Sequence, residues 1–310
     1  MAHSGEIGHG RENCEERQAA APPGVSGWRR PGPGALLGRL ALIALAALLG
    51  ALAFGCGSEP AAPGAAPAGG RPLCIAGSTS VEPFLEKLAE LYMREHRGAR
   101  IDVQGGGSSA GVYAAHQGAA DLGSCSRELT EGEKGLVEIP FAYDGIAVIV
   151  HPSNPMTDIN LEELRQIYQG TMTDWRSLGL PPHSIDLITR EEGSGTRNAF
   201  EELVMGEREI TPGALVQDSN GAVRELVSTD PYSIGYISLG LVDPSVKALA
   251  INGVKPDSDN IKNHSYKLVR RFLLISRLAP TGQAKAFIDF ILSSQGQKIL
   301  EKEGLVGIGQ

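Results

Sequence analysis

Four short corners of this sequence combine glycine with serine or threonine between a strand-like segment and a helix-like segment. These corners are Gly77-Ser78-Thr79-Ser80, Gly106-Gly107-Ser108-Ser109, Ser124-Cys125-Ser126-Arg127 and Gly193-Ser194-Gly195-Thr196. A helix start offers unpaired backbone N–H groups, and serine and threonine add hydroxyl donors. Glycine lets a ligand approach the backbone closely. Together with Arg190, just before the last corner, these donors predict a site for an anion.

One such corner would predict no more than a helix start, because serine and threonine are also the commonest helix caps. Repetition at several corners favours a shared ligand, because ligands of open α/β sheets bind at the carboxyl ends of the strands. The nucleotide P-loop is excluded, because no corner ends in Gly-Lys-Thr or Gly-Lys-Ser. Gly105 to Ala110 fits the dinucleotide fingerprint only loosely and does not follow the first strand.

The alternative from a different class is a serine hydrolase. Gly107-Ser108-Ser109-Ala110-Gly111 fits the G-x-S-x-G elbow, with Ser109 as the nucleophile. Such an enzyme needs an acid and a histidine further along the chain. His151, His183 and His264 are present, but none follows a clear strand with a carboxylate partner in evident order. The sequence therefore favours binding over catalysis.

The elements that position these corners alternate between strand and helix, which predicts an α/β fold with open sheets and parallel strands. Residues 141–150 predict a long buried strand, and residues 268–276 predict another. The capping-box spacing of Thr130 and Glu133 predicts a further helix. The last helix is predicted to break near Ser293 and Ser294.

The N-terminal segment predicts export. Leu40 to Gly55 carries no charge, which is short for a spanning helix and right for a signal peptide. Cys56 follows, in a pattern that resembles a bacterial lipoprotein signal with a lipidated cysteine. Residues 57–71 are rich in Pro, Ala and Gly, which predicts a tether. We therefore expect a signal peptide and lipoprotein leader over residues 1–56 and a membrane-anchored domain at the cell surface or in the periplasm.

Net charge and cysteine content exclude other classes of function. The formal net charge of −8 argues against nucleic-acid binding. Cys74 and Cys125 are the only cysteines after Cys56, and no spacing indicates a metal site. An exported location would permit a disulfide between them, and two buried free thiols are the other interpretation.

From Pro72 onward the chain resembles the substrate-binding proteins of phosphate ABC transporters. The resemblance is carried by "AGSTSVEP", "GGGSSAG", "YDGIAVIVHPSNP", "REEGSGTR" and "SIGYISLG". It implies the two-lobed type II periplasmic-binding-protein fold, with each lobe an open mixed sheet flanked by helices and two crossover strands between the lobes. The expected lobes are residues 72–147 plus 272–310 and residues 148–271.

The resemblance also implies a function without chemistry. The protein would be a monomeric binding protein, not an enzyme, with no cofactor and no metal, that captures inorganic phosphate between its lobes and delivers it to a membrane ABC permease. The implied phosphate-binding residues are Ser78, Thr79, Ser80, Ser108, Ser126, Arg190, Glu192, Ser194, Gly195 and Thr196. Other oxyanions, namely sulfate, molybdate, tungstate or arsenate, remain alternatives.

One position departs from the family pattern. Ser126 stands where well-known members have an aspartate that accepts a proton from phosphate. Glu192 and Asp144 are the candidate acceptors here. Sulfate carries no proton at neutral pH, so a buried carboxylate would face it as an unpaired like charge. We expect such a carboxylate to distinguish the two anions.

Overall fold

The computed structural model describes residues 71–309. The predicted leader with Cys56, and all of the predicted tether except Arg71, lie outside the described residues. No helix within the described part of the chain is long and apolar enough to cross a membrane. Cys74 and Cys125 are free thiols, and the Cys125 thiol donates to the Arg127 carbonyl at 3.3 Å.

Twelve strands and eight α-helices alternate along residues 71–309. The strands are β1 (Leu73–Gly77), β2 (Ile101–Gly105), β3 (Leu122–Cys125), β4 (Val137–Val150), β5 (Asp158–Ile159), β6 (Asp186–Arg190), β7 (Leu215–Gln217), β8 (Ser233–Ser238), β9 (Lys247–Ala248), β10 (Ala250–Ile251), β11 (Val269–Ser276) and β12 (Val306–Gly307). The helices are α1 (Glu82–Glu95), α2 (Ser108–Gln117), α3 (Leu161–Gln169), α4 (Gly195–Phe200), α5 (Asn220–Thr229), α6 (Ser258–Lys262), α7 (Gly282–Leu292) and α8 (Ser294–Lys302). The fold is α/β, as predicted.

The main sheet is mixed. Its strand order is β2-β1-β3-β11-β4-β8-β6-β7, and β9 and β12 pair with β4 beside this path. At one end β1 is parallel to both β2 and β3, and at the other β6 is parallel to both β7 and β8. Between them β11 is antiparallel to β3 and β4, and β4 is antiparallel to β8. Antiparallel pairs therefore join two parallel groups of strands.

The long strand β4 lies between the two parallel groups of strands and pairs toward both. Its first part, through Gly145, pairs with β11, and residues 146–150 pair with β8. The hydrophobic core divides at the same place. The larger cluster of the first group contains residues from 73–142 and 272–305, and that of the second contains residues from 146–268 together with Val306. A smaller cluster accompanies each, from residues 112–125 with 273–275 and from residues 147–246. The two main cores of the described residues thus share β4, and the predicted lobe bounds lie near the division but stay a prediction.

Local signals explain most element ends. Helix α1 buries Phe84, Leu85, Leu88 and Tyr92, which recur at the three- and four-residue spacing of one helix face. The break in the last helix is confirmed, because α7 ends at Leu292 and the Ser293 hydroxyl accepts the Gly296 N–H as the cap of α8.

The predicted α-helix after Thr130 is wrong. The capping box forms, but only a 3-10 turn of Glu131–Glu133 follows it. Gly135 adopts φ 99°, and β4 begins at Val137. A capping box therefore does not lead to an α-helix here, because the chain turns directly into strand β4.

A substitution at Phe272 would test the packing of the first core, which contains residues from 73–142 and 272–305. It is fully buried, and its ring centroid lies 6.0 Å from those of Phe84 and Phe141. We expect Phe272→Ala to lower the free energy of unfolding by about 3–5 kcal/mol, because it removes apolar contacts and leaves a cavity. Urea denaturation measures this loss. Leu278→Ala is the control, since Leu278 is 71% exposed, and an equal loss in both variants would contradict the assignment.

Candidate functional site

Side chains from all four predicted corners meet in one buried group of hydroxyls. This hydroxyl cluster comprises Ser78, Ser80, Ser108, Ser126 and Thr196, none more than 2% exposed. The Ser78 Oγ lies 2.9 Å from the Ser80 Oγ and donates to the Ser126 Oγ at 2.9 Å. The Ser80 Oγ lies 3.4 Å from the Thr196 Oγ1, and the Ser126 Oγ lies 3.3 Å from the Ser108 Oγ. The corners therefore converge rather than cap separate helices.

Glycine makes this convergence possible. A Cβ atom at Gly195 would lie 2.2 Å from the Ser108 Oγ and 2.6 Å from the Ser126 Oγ. The second and fourth corners also touch through the backbone, because the Ser109 N–H donates to the Gly193 carbonyl at 3.1 Å. Gly107 beside them has φ 92°, a conformation that favours glycine. The glycines of "GSGT" thus allow the second and fourth corners to pack closely, in addition to the hydrogen-bond donors that this corner supplies.

Arg190, the last residue of β6, is 1% exposed. Its Nε and Nη2 each donate to the Glu191 carboxylate at 2.9 Å. The same nitrogens also donate to the carbonyls of Gln217 and Asp218, at 3.2 and 3.1 Å. Nη1 is buried too, yet it has no hydrogen-bond acceptor among residues 71–309. A buried cationic donor without a partner is costly, so this atom fits a site for an anion.

Thr79 receives two donors from the second half of the chain. Its Oγ1 accepts from the Arg190 Nη2 at 3.3 Å and from the Asn220 Nδ2 at 3.1 Å. Asn220 is 1% exposed, and its Oδ1 accepts the Ser238 N–H at 3.1 Å. Sequence reasoning missed Asn220. The signal was present, because Asp218-Ser219-Asn220-Gly221 is a fifth strand-to-helix corner, between β7 and α5.

A second buried guanidinium, which sequence reasoning also missed, borders the hydroxyl cluster. The Arg270 Nη1 donates to the Ser126 Oγ at 3.3 Å, while its Nε and Nη2 donate to the Asp144 Oδ2 at 3.0 and 2.8 Å. The Asp144 Oδ1 accepts from the Ser238 Oγ at 2.9 Å. Burial raises the pKa of the Asp144 carboxyl, and Arg270 opposes that rise. Both Asp144 oxygens are thus engaged, Oδ2 by Arg270 and Oδ1 by Ser238.

The prediction that Glu192 lies beside the anion is not supported by its position. Glu192 is exposed, and it is Glu191 that pairs with Arg190. The reason is the turn after β6, in which the Ser194 N–H donates to the Glu191 carbonyl at 3.0 Å. Ser194 is buried as the cap of α4, where its Oγ accepts the Arg197 N–H at 3.2 Å.

Comparisons with known proteins agree on the family. A family model of the PBP superfamily domain matches residues 59–295. The phosphate-binding protein PstS of Bacillus subtilis (strain 168) is 33% identical over 242 residues, which are 76% of this chain and 80% of that protein. This chain belongs to the PBP superfamily, in the family of phosphate ABC transporter substrate-binding proteins. The resemblance inferred from the motifs is confirmed.

Solved structures of the family share the fold. A Clostridium perfringens crystal structure, described as a phosphate ABC transporter substrate-binding protein with bound phosphate, has a TM-score of 0.75 and 41% identity. The match covers 77% of this chain and all of that one. An ABC-type phosphate transport receptor from Vibrio cholerae has a TM-score of 0.64 and 38% identity, with 76% of this chain and 99% of that one covered. The predicted fold class is confirmed.

Membership of this family of binding proteins also confirms that the chain is not an enzyme. The contacts of Ser109, the hydrolase candidate, agree. Its Oγ accepts from the Arg127 Nη2 at 3.1 Å, whereas His151 pairs with Ser153 and His183 stacks on Tyr232. Ser109 therefore has an arginine where a serine hydrolase needs a histidine base.

Gly195 tests the packing of the hydroxyl cluster. We expect Gly195→Ala to lower the free energy of unfolding by about 1–3 kcal/mol, because the added methyl overlaps two buried hydroxyls. Gly221→Ala is the matched control, since its Cβ would come no closer than 3.9 Å to another residue. Guanidinium denaturation compares the two. Equal stabilities would contradict the close packing.

The ion pair between Glu133 and Arg127 allows a test by pH. Arg127 also donates to Ser109 of the second corner, so this ion pair supports that corner. The Arg127 guanidinium donates to Glu133 at 2.7 and 2.8 Å and lowers its pKa from 4.5 to about 2. A lowered pKa in the folded state stabilises the fold above the unfolded value of 4.5, and this contribution is lost as the pH falls toward 2. The stability difference between the wild type and Glu133→Gln should therefore shrink as the pH falls below about 4.5.

Thermal unfolding between pH 6 and pH 2.5 would measure this difference. Glu131→Gln is the control, because Glu131 is exposed and its ion pair among the described residues is with the exposed Lys134. A difference for Glu133→Gln that does not change over this range would refute the assignment.

Proposed function

We propose that this protein binds inorganic phosphate in the hydroxyl cluster, against the guanidinium of Arg190. The observation that carries the proposal is the buried Nη1 of Arg190, a cationic donor without an acceptor among the described residues. It lies in a part of the fold where hydroxyls and helix starts supply further donors. Relatives named as phosphate-binding proteins, and a similar structure with bound phosphate, support the choice of anion.

The proposed site combines neutral hydrogen-bond donors with one cation. Arg190 gives charge-assisted hydrogen bonds, and the hydroxyls of the cluster orient the phosphate oxygens. Backbone N–H groups at the starts of α2 and α4 add partial positive charge. The proposed binding residues are Ser78, Thr79, Ser80, Ser108, Ser126, Arg190, Gly195 and Thr196. Ser194 acts as the cap of α4, and the exposed Glu192 is left out.

Binding would hold the two predicted lobes together. Thr79 and Ser80 come from residues 72–147, and their partners Arg190, Asn220 and Thr196 come from residues 148–271. An anion shared by these groups stabilises the closed arrangement by contacts that an open arrangement cannot make. Closure is then the signal that a membrane permease can recognise.

We further propose that the protein is an exported lipoprotein, anchored through Cys56, that delivers phosphate to an ABC permease. The uncharged run before Cys56 and the Pro/Ala/Gly tether support export and anchoring. The names of the relatives support the transport role. Mass spectrometry of the processed N-terminus in cells tests the anchor, and Cys56→Ala should release the protein from the membrane fraction.

Titration calorimetry of the purified protein with phosphate, arsenate, sulfate and molybdate tests the choice of anion. Phosphate should bind, and a protein that binds molybdate but not phosphate would refute the proposal. Sulfate is the second candidate. The two described carboxylates near the cluster, Asp144 and Glu191, are already paired with arginines, so neither would face sulfate as an unpaired like charge.

Arg190 provides the sharpest test. We expect Arg190→Ala to weaken phosphate binding by about 2–5 kcal/mol, which is at least about 30-fold, because the buried anion loses its charged partner. Arg208→Ala is the matched control, since Arg208 lies on the surface and pairs with Glu162. Calorimetry at fixed salt measures both. Near-normal affinity in Arg190→Ala would refute the site.

A further inference from the structure

We propose that the end of the fold where β1 and β2 begin is a docking surface for anionic phospholipids, which holds the anchored protein on the membrane with its anion site turned away from the lipid. This docking surface, the basic face, comprises Arg97, Arg100, Arg277 and Leu278, all of them exposed. The inference rests on the proposed lipid anchor at Cys56 and is independent of which anion binds.

Two arginines of the basic face lie in the turn between α1 and β2. Arg97 follows the end of α1, and Arg100 directly precedes β2. The Arg100 carbonyl accepts the Leu73 N–H at 2.8 Å, which joins this turn to the first residue of β1. Both arginines therefore lie at the edge of the sheet where β1 and β2 begin.

The other two members of the basic face reach the same edge from β11. Strand β11 runs antiparallel to β3 and ends at Ser276, so the residues that follow it lie where β3 begins. These residues are Arg277 and Leu278. The start of α7 closes the group, because the Gln283 Nε2 donates to the Arg100 carbonyl at 2.8 Å.

The arginines of the basic face carry charge that no described neighbour neutralises. None of the three forms an ion pair with another residue among 71–309. The carboxylates near this edge have other partners: Asp121 pairs with Arg71, Glu90 pairs with Arg94, Glu95 accepts from Gln295, and Asp102 accepts from Gln104. The whole chain has a formal net charge of −8, so this excess of cations is local.

Leu278 adds an apolar side chain to this charge. It is 71% exposed and directly follows Arg277. Surfaces that lie in the membrane interface combine the same two features, because guanidinium groups bind phosphate headgroups while an apolar side chain enters the boundary of the acyl chains. The basic face therefore matches an anionic bilayer in both charge and apolar character.

The position of the predicted tether also favours lipid as the occupant. Arg71, the first described residue, lies two positions before β1 and so belongs to the same edge. Fourteen residues separate it from Cys56, a length that spans at most about 50 Å. A lipid on Cys56 would keep the basic face near the bilayer at a high effective concentration, so a modest attraction is enough. Each arginine near an anionic surface strengthens binding roughly fivefold.

This orientation separates the anion site from the charge of the lipid. The hydroxyl cluster lies beyond the carboxyl ends of β1 and β2, and each of these strands has five residues, which is about 17 Å. The Debye length at physiological ionic strength is about 8 Å. The negative charge of the headgroups is therefore screened at the site and does not lower the local concentration of the anion.

Quenching of tryptophan fluorescence on vesicles tests the basic face. The full chain, processed and lipidated in cells, is reconstituted into vesicles of phosphatidylcholine with brominated acyl chains and about one-third phosphatidylglycerol. We expect the fluorescence of the tryptophan in Leu278→Trp to fall by about half, because this position enters the interface. Val216→Trp is the matched control, since Val216 is 52% exposed on β7, at the opposite end of the main sheet, and should stay unquenched. The natural tryptophans are common to both variants.

The role of charge is tested in the Leu278→Trp background. Changing Arg97, Arg100 and Arg277 together to Gln should abolish the quenching, and about 0.5 M salt should do the same, because it shortens the Debye length. Vesicles without phosphatidylglycerol should give little quenching.

The same change at Lys255, Lys262 and Lys267 is the matched control for charge. These lysines are exposed and form no ion pair among the described residues, so the variant loses the same charge from another surface. It should keep the quenching at position 278. An equal loss in the lysine variant and the arginine variant would overturn the inference.

Flotation of the vesicles separates the remaining outcomes. A protein that floats with the vesicles but is quenched equally at positions 278 and 216, or equally with and without phosphatidylglycerol, would overturn the inference and leave the anchor in place. A protein that does not float would overturn the proposed anchor and the inference with it. Calorimetry with phosphate tests the proposed anion site independently of both.

Discussion

The buried guanidinium of Arg190 is the constraint on which the rest of the site depends. Five N–H donors taken out of water need acceptors. Residues 71–309 supply them for Nε and Nη2 only, from Glu191, from Thr79 and from the carbonyls of residues 217 and 218. In the proposed site, a bound anion would supply the acceptor that Nη1 lacks and so remove the cost of leaving it unpaired. Placing this atom correctly requires β6, β7 and the corner before α5 to be in register. The ends of β6 and β7 and the corner before α5 therefore meet at one side chain.

The first half supplies hydroxyls rather than charge. Their positions follow from the parallel pairing of β1 with β2 and β3, which brings three strand ends to one edge of the sheet. β4 and β11 then connect this edge to Arg190. The same two strands carry Asp144 and Arg270 at directly paired positions. A single strand pair thus joins the two cores and also places a second guanidinium against the hydroxyls.

The sequence predicted the convergence of the corners because strand ends in an open α/β sheet share an edge, whatever the lengths of the helices between them. It could not predict Arg270, because an arginine in "LVRRFLLIS" carries no signal until the β11–β4 register pairs it with Asp144. The pairing of Arg190 with Glu191, while Glu192 is exposed, could not be predicted for a related reason. The turn after β6 determines which of two adjacent glutamates, Glu191 or Glu192, pairs with Arg190. A turn that differed by one residue would place the other glutamate toward Arg190. Patterns of residue type predict edges and faces, whereas individual partners depend on register and turn geometry.

The balance of charge explains how two guanidinium groups can be buried at the proposed site before any anion is present. Arg190 pairs with Glu191 and Arg270 pairs with Asp144, so the two buried cations are already neutralised by two carboxylates. In the proposed site a dianion would therefore meet two ion pairs rather than two free cations. Its stabilisation would come from oriented dipoles and from the charged Nη1 of Arg190, which has no acceptor among residues 71–309. Dipoles fixed by the fold need no reorganisation on binding, and they act over short distances. A site of this kind would discriminate by the direction of the hydrogens that it presents, because anions of equal shape can differ in whether their oxygens carry a proton.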